Sequence, residues 1–257
     1  MTSALHRLCP ALIIISLALT LAGCATTAAT MPPEAPAMHT ASEFSDDEYI
    51  ARINDPWEGF NRNMYKFNYN FDKYVFLPVV SGYEFITPAA VQTGVSNFFS
   101  NIREIRTLTN DIFQLRGMDS LTTLGRFVTN STIGLGGLFD PATSFGLKRQ
   151  AEDFGQTLGY WGVSSGNYLV LPILGPSSVR DTGGYAVDSA IYYSIYYSID
   201  PFKNVNNGTA ISSGITTLNF IDQRHNVKFR YYESGYPFEY YMVRFLYHEK
   251  RELESMR

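Results

Sequence analysis

Leu21-Ala22-Gly23-Cys24 closes an apolar run and sets the compartment in which the rest of the chain must fold. A bulky aliphatic residue, two small residues and a cysteine have the form of a bacterial lipoprotein signal. His6 and Arg7 give a weakly basic start, and residues 11–22 are apolar apart from Ser16 and Thr20. That run has the ~7–15 residue length of a signal core and is too short to span a bilayer. Residues 1–23 are read as the signal peptide and Cys24 as the acylated first residue of the mature protein. The alternative is an ordinary secretory signal with an incidental cysteine. On the first reading the body folds outside the cytoplasm, tied to a membrane surface.

The chain beyond Cys24 must then do without cysteine chemistry. Cys9 leaves with the signal and Cys24 is taken by lipid, so the body has no disulfide and no thiolate metal site. Enough chain remains for one domain with a sizeable core. The net charge of −4 is unlike the basic footprint of a nucleic-acid binder, so no nucleic-acid partner is expected. The 18 tyrosines and 18 phenylalanines suit surfaces that are apolar at one end and wet at the other. No segment after Cys24 reaches the ~18 consecutive apolar residues of a spanning helix. A body that enters the membrane must therefore do so with amphipathic helices.

The pattern along the chain is helical. Residues 25–38 are mostly Ala, Thr and Pro, and residues 24–54 read as a lipidated flexible tether, with one or two acidic helical turns within 42–53. At 55–76, Asp55-Pro56 resembles a cap followed by proline at the first helical position. Phe60, Met64, Phe67, Phe71 and Tyr74 then recur as one apolar stripe. Asn61, Asn63, Asn68 and Asn70 are costly in a plain helix and point to a break or hairpin near 68–72. Ile102, Ile105, Leu108, Ile112 and Leu115 mark another helical face, with Gly117 as a stop. Asp119 caps a helix bearing Leu121, Leu124 and Val128. A short helix is expected over 152–161, extended or irregular chain over 168–175, and helices over 177–200, 207–225 and 237–254. Within 191–199, IYYSIYYSI repeats every four residues and gives a helix a broad tyrosine face. That face is either core or a membrane or protein interface.

Few residues point to catalysis. Gly162-Val163-Ser164-Ser165-Gly166 fits G-x-S-x-G, and Asp188 and His225 follow in the order of an α/β-hydrolase. A membrane-anchored lipase or esterase using Ser164 is the rival reading. Its context is poor, because alternating strands and helices are missing and a Ser/Gly loop gives the same letters. His225 and His248 read as surface residues, and no pair has metal-ligand spacing, so neither a metal nor a cofactor is expected. Gly134, Gly136 and Gly137 form no phosphate loop. They read either as a tight turn with close helix packing or as a small-residue wall beside an apolar ligand. Arg180-Asp181 is a local ion pair and turn, or places Arg180 near a lipid phosphate.

Several motifs now stand in order: Asp55-Pro56-Trp57-Glu58-Gly59-Phe60-Asn61-Arg62, the Asn/Phe alternation at 67–71, and GVSNF at 94–98. IGLGGLFD at 133–140, EDFGQTLG at 152–159 and LPILGPSSVRDTGG at 171–184 complete the set. In combination they resemble the MlaA (VacJ) family of outer-membrane lipoproteins over roughly residues 54–190. The resemblance implies an all-α domain at 55–257, a ring-like bundle of amphipathic helices lying in one leaflet of the outer membrane. It implies a non-enzymatic lipoprotein on the periplasmic side, anchored at Cys24, with Ala25 suiting outer-membrane sorting. Phospholipids stranded in the outer leaflet would enter an amphipathic channel and pass to an MlaC-type periplasmic carrier for retrograde transport. A trimeric porin would be the membrane partner, and lipid asymmetry the outcome. Phe67, Asn68, Asn70, Phe71, Gly134, Gly136 and Gly137 become candidate channel or gate residues, and Arg62 and Arg180 candidate headgroup contacts. The tyrosine-rich 191–199 segment has no close match in the family pattern.

The lipid anchor generates the first prediction. Replacing Cys24 by Ala should leave the protein outside the outer-membrane fraction on density separation. Normal sorting and lipid transport in that variant would show the anchor to be dispensable.

Overall fold

The computed structural model describes residues 55–199 and 201–256. The signal at 1–23, Cys24, the tether at 24–54 and the helical turns expected within 42–53 lie outside the described residues. Helix α1 (Glu58–Phe71) runs through one π-helical turn (Asp72–Phe76) into α2 (Leu77–Ile86). Pro88 stops α2, because the residue before a proline is driven out of the helical region and Thr87 is extended. The long helix α3 (Ala89–Phe113) turns back into α4 (Gly117–Thr132). Leu115 takes the left-handed conformation at that turn, with φ 57°, and Gly117 opens α4 instead of closing α3 as its sequence position suggested. A short α5 (Pro141–Ser144) and α6 (Phe154–Tyr160) precede a two-stranded antiparallel hairpin, β1 (Tyr168–Leu171) and β2 (Gly175–Ser178). Helices α7 (Val179–Ile199), α8 (Gly208–Asn226) and α9 (Glu239–Ser255) complete the helical fold.

The break or hairpin expected near 68–72 is not formed, since the chain is helical from Glu58 through Ile86. Two of the four asparagines that suggested it have another use. Asn61 donates to the Tyr168 carbonyl (3.0 Å) and accepts from the Val170 amide (2.8 Å). Asn68 donates to the Leu171 carbonyl (2.9 Å) and accepts from the Ile173 amide (2.7 Å). Each carboxamide acts as a peptide group against the outer edge of β1. Seven helical residues advance about 10 Å and three strand residues about the same. Asn61 and Asn68 therefore meet β1 in step, and the helix cost of asparagine is offset by an edge that would otherwise lack partners. Asp55 is not the helix cap either. It lies three residues before the helix and accepts from Asn61 (2.8 Å), Tyr240 (2.5 Å) and Arg244 (3.1 Å).

The interior is polar. Among the described residues, buried polar and charged positions outnumber buried apolar ones by more than two to one, and five of the apolar ones are tyrosines. The buried positions of α3 include Asn101, Glu104, Thr107, Asn110 and Asp111, and those of α4 are Thr123, Arg126 and Asn130. The two helices face each other through a polar ladder. Thr123 donates to Asp111 (2.8 Å), Arg126 to Glu104 (2.8 Å) and Asn101 to Ser131 (2.8 Å). The apolar stripes read from the sequence point outward: Leu121, Leu124 and Val128 are exposed, as are Phe60, Phe67 and Ile112.

Asn61→Ala would strip the β1 edge of one donor and one acceptor at a fully buried site. The expected loss is about 2–4 kcal/mol, the cost of two orphaned backbone groups, read by thermal or denaturant unfolding in detergent. A loss below about 1 kcal/mol would mean the edge does not depend on the carboxamide.

Candidate functional site

Two cavities adjoin along the polar face of α3 and share Ser100, Arg103 and Arg149. The larger, about 510 Å³, also touches Gln223 and Asn226 of α8. The smaller, about 170 Å³, also touches Glu104, Arg106 and Gln150. The larger falls within the usual size of small-molecule sites, ~300–1,000 Å³.

Helical spacing puts Ser100, Arg103 and Thr107 on one side of α3, while Arg149 arrives from the segment between α5 and α6. The Ser100 hydroxyl accepts from Arg149 (2.8 Å) and from Arg103 (3.1 Å), so one oxygen draws two guanidiniums together. Arg103 is also 3.4 Å from Asn219 and 3.9 Å from the buried Asp222. Burial pushes the Arg103 guanidinium below its ordinary value. Arg149 and Arg106 push it the same way, against Asp222. Like charges held together cost Coulomb energy that an anion would recover. Arginine forks match phosphate oxygens in particular.

Neighbouring networks fix the frame of this site. Arg126, 2% exposed, binds Glu104 (2.8 Å), Asp140 (3.1 Å), Thr143 (3.1 Å) and the Leu147 carbonyl (2.6 Å). Burial raises the Glu104 carboxyl above its ordinary range against the pull of Arg126. Farther along α3, Asn110 and the Phe154 amide share Asp188, while Thr157 bridges Asn110 and Gln114. Arg251 of α9 grips Asp153 and Asp181, and Tyr247 adds a 2.6 Å bond to Asp181. These ties hold α3, α6, α7 and α9 together. Gly155 of α6 and Gly184 of α7 meet backbone to backbone there, with no room for a side chain on either.

The residues singled out in the sequence do not gather at the cavities. Phe67 and Asn70 are exposed, Phe71 stacks on Phe67 and meets Phe76 edge-on, and Asn68 is spent on β1. Gly134 and Gly137 follow the tight-turn reading. A side chain on Gly134 would strike the Asn130 and Phe139 carbonyls, and one on Gly137, at φ 92°, would strike Asn101. Gly136 also has positive φ, with open space beside it. Arg62 lies between Glu58 (2.8 Å) and the rings of Tyr240 and Tyr241. Arg180 is buried against Asp181 (3.0 Å).

The hydrolase constellation is not assembled. The G-x-S-x-G run lies between α6 and β1, the reverse of a strand-to-helix elbow. Asp188 is committed to Asn110 and Phe154, and His225 to Glu84 at 2.7 Å. Sequence reasoning missed Ser100, Arg103, Arg106 and Arg149 because it followed the isoleucines of α3. The polar stripe between them was the available signal.

The exterior completes the chemistry. Leu121, Ile133, Leu135, Phe139, Tyr197 and Ile199 are each more than 60% exposed. Exposed hydroxyls turn back onto their own helices: Thr122 to Met118, Thr132 to Val128, Ser194 to Ala190, Ser198 to Ser194 and Thr216 to Ser212, all at 2.7–2.9 Å. Hydroxyls that bond back to the i−4 carbonyl need no outside partner and suit an apolar surrounding. Among the described residues no helix is long and apolar enough to cross a membrane.

Fold and site together define a helical protein with a polar interior, an apolar exterior and an arginine-lined cavity. The MlaA lipoprotein family model matches residues 53–254, and the chain belongs to that family. It is 38% identical over 147 residues to an uncharacterized protein of Rickettsia prowazekii, covering 55% of this chain and 59% of that one. It is 34% identical over 155 residues to the intermembrane phospholipid transport system lipoprotein MlaA of Haemophilus influenzae, covering 59% and 62%. The Escherichia coli protein of the same name is 38% identical over 138 residues, covering 52% and 55%. The chain thus spans about three fifths of the length of the Rickettsia relative. A solved structure described as the "Structural basis for maintenance of bacterial outer membrane lipid asymmetry" superposes with a TM-score of 0.62. It is 29% identical, and the match covers 79% of this chain and 100% of that one.

Asp181 gives a pH prediction. Burial raises its carboxyl, but Arg251, Tyr247 and Arg180 outweigh that and hold it at about 2. A depressed folded pKa contributes stability that is complete above the ordinary carboxylate value of ~4 and is lost as pH falls toward the folded value. Unfolding temperature in detergent should therefore drop between about pH 4 and the folded value of about 2. Asp181→Asn should flatten that drop, and an unchanged slope would assign the acid sensitivity elsewhere.

Proposed function

We propose that this chain is an outer-membrane lipoprotein, anchored at Cys24 on the periplasmic side. In this reading it removes mislocalised phospholipids from the outer leaflet and passes them to an MlaC-type periplasmic carrier for retrograde transport. Its body, residues 55–257, lies in one leaflet as a ring-like bundle beside a trimeric porin, and its work maintains lipid asymmetry without catalysis.

The observation that carries the reading is the pairing of an apolar exterior with an arginine-lined polar cavity. Exposed leucines and phenylalanines can face acyl tails, while Arg103 and Arg149 offer an ionic seat to a phosphodiester. A phospholipid has both parts, and a body of this polarity can hold the headgroup inside while leaving the tails outside. The names of the Haemophilus and Escherichia relatives support the phospholipid and the transport role.

Transfer of labelled phospholipid from reconstituted membranes to the periplasmic carrier tests this. Arg149→Gln should slow transfer roughly tenfold, the scale of one charge-assisted contact, with folding and porin association retained. Porin association without transfer above background would favour a scaffolding lipoprotein instead.

A further inference from the structure

A carboxylate stands behind the wall of the larger cavity. Asp222 of α8 is 0% exposed, and its Oδ1 accepts from Ser96 of α3 and from Asn226 (3.1 Å). Asn226 also donates to Ser96 (3.0 Å), so these side chains close a small ring across the α3–α8 boundary. Ser96 and Asn226 line the cavity, and the carboxylate is covered. Its Oδ2 has no hydrogen-bond donor and lies 3.9 Å from the Arg103 guanidinium, within ion-pair range and beyond hydrogen-bond length. Glu104 also acts on Arg103, but it is already paired with Arg126 (2.8 Å).

Held there, Asp222 cannot touch a ligand, but its charge reaches one. A phosphate pairing with Arg103 from the cavity would stand about 8 Å from Asp222, with the guanidinium between them. Unit charges at that separation, in the effective dielectric of ~20 that suits protein sites, change affinity by more than roughly tenfold. Two arginines without a counter-charge would hold a phosphate firmly. A site that passes its cargo on needs binding weak enough for the cargo to leave. Asp222 suits that need. The ring fixes its charge, while the oxygen nearest Arg103 stays uncommitted.

We propose that Asp222 is the counter-charge that sets the release of an anionic phospholipid from Arg103 and Arg149. It acts through Arg103 and touches no ligand. This rests on the lipid-transfer reading and adds the residue that governs unloading.

The full-length protein in detergent is loaded with fluorescent phosphatidylglycerol and diluted into vesicles of unlabelled phosphatidylethanolamine and phosphatidylglycerol. The half-time of release is then read. Asp222→Asn keeps an oxygen for Ser96 and Asn226 and removes the charge. It should lengthen the half-time roughly tenfold. Asn219→Asp puts a carboxylate where the Asn219 oxygen lies 3.4 Å from Arg103. It should shorten the half-time severalfold, and it tests the proposal even where Asp222→Asn fails to fold. Fluorescent diacylglycerol, which has no phosphate, should leave the native protein and both variants at one rate. A half-time that Asp222→Asn leaves unchanged or shortens would overturn the proposal, as would an unchanged rate in Asn219→Asp. Equal shifts for diacylglycerol would also overturn it, by assigning Asp222 to joining α3 and α8 alone. Each of these results would leave lipid transfer standing. Release of phosphatidylglycerol from Arg149→Gln at the native rate would instead remove the ionic seat on which both readings rest.

Discussion

One guanidinium carries much of the frame. Arg126 joins α3 to α4 through Glu104 and reaches Asp140, Thr143 and the Leu147 carbonyl beyond α4. In a water-soluble protein such a buried ion pair roughly breaks even with an apolar replacement, because desolvation cancels the attraction. In lipid the comparison changes. Acyl tails are as apolar as leucine, so burying leucine between helices gains little there. Packing and hydrogen bonds hold the helices together instead. The polar ladder from Asp111–Thr123 to Asn101–Ser131 is therefore what an α3–α4 pair needs in that solvent. The outward apolar stripes are the other half of the same requirement.

A polar core also explains why the cavity looks as it does. Space left between helices that face each other with Asn, Thr, Glu and Arg is lined by those groups. Most of them satisfy one another: Asn110 with Asp188 and Thr157, and Gln114 with Thr157 and Glu152. Ser100, Arg103 and Arg149 do not obey that rule, since two like charges converge on one hydroxyl. Local conflict of this kind is where a ligand contributes what the chain lacks.

The helices were largely legible in the sequence, because a stripe repeating every 3.6 residues is visible whichever way it faces. The sides of α4 are a case in point: Leu121, Leu124 and Val128 mark the period, and only the structure shows them outward. The resemblance implied a bundle of amphipathic helices lying in one leaflet, and the outward apolar stripes agree with that arrangement. The break or hairpin expected near 68–72 failed because asparagine propensity was weighed within the helix alone. Asn61 and Asn68 are tertiary residues whose partners on β1 lie more than a hundred positions away. The site was the least legible part. Arg149 gains its meaning from Ser100, forty-nine residues earlier, and no local pattern announces that meeting.

The relative weight of anchor and body is set by the same surfaces. A single acyl chain holds a protein to a membrane only marginally, and stable attachment needs a second contribution. Each large apolar side chain moved from water into hydrocarbon contributes roughly 1.5–3 kcal/mol. Leu121, Ile133, Leu135 and Phe139 alone, all more than 60% exposed, therefore match or exceed what a single chain supplies. The body thus contributes its own membrane affinity, and the acyl groups expected at Cys24 are not its sole hold on the bilayer.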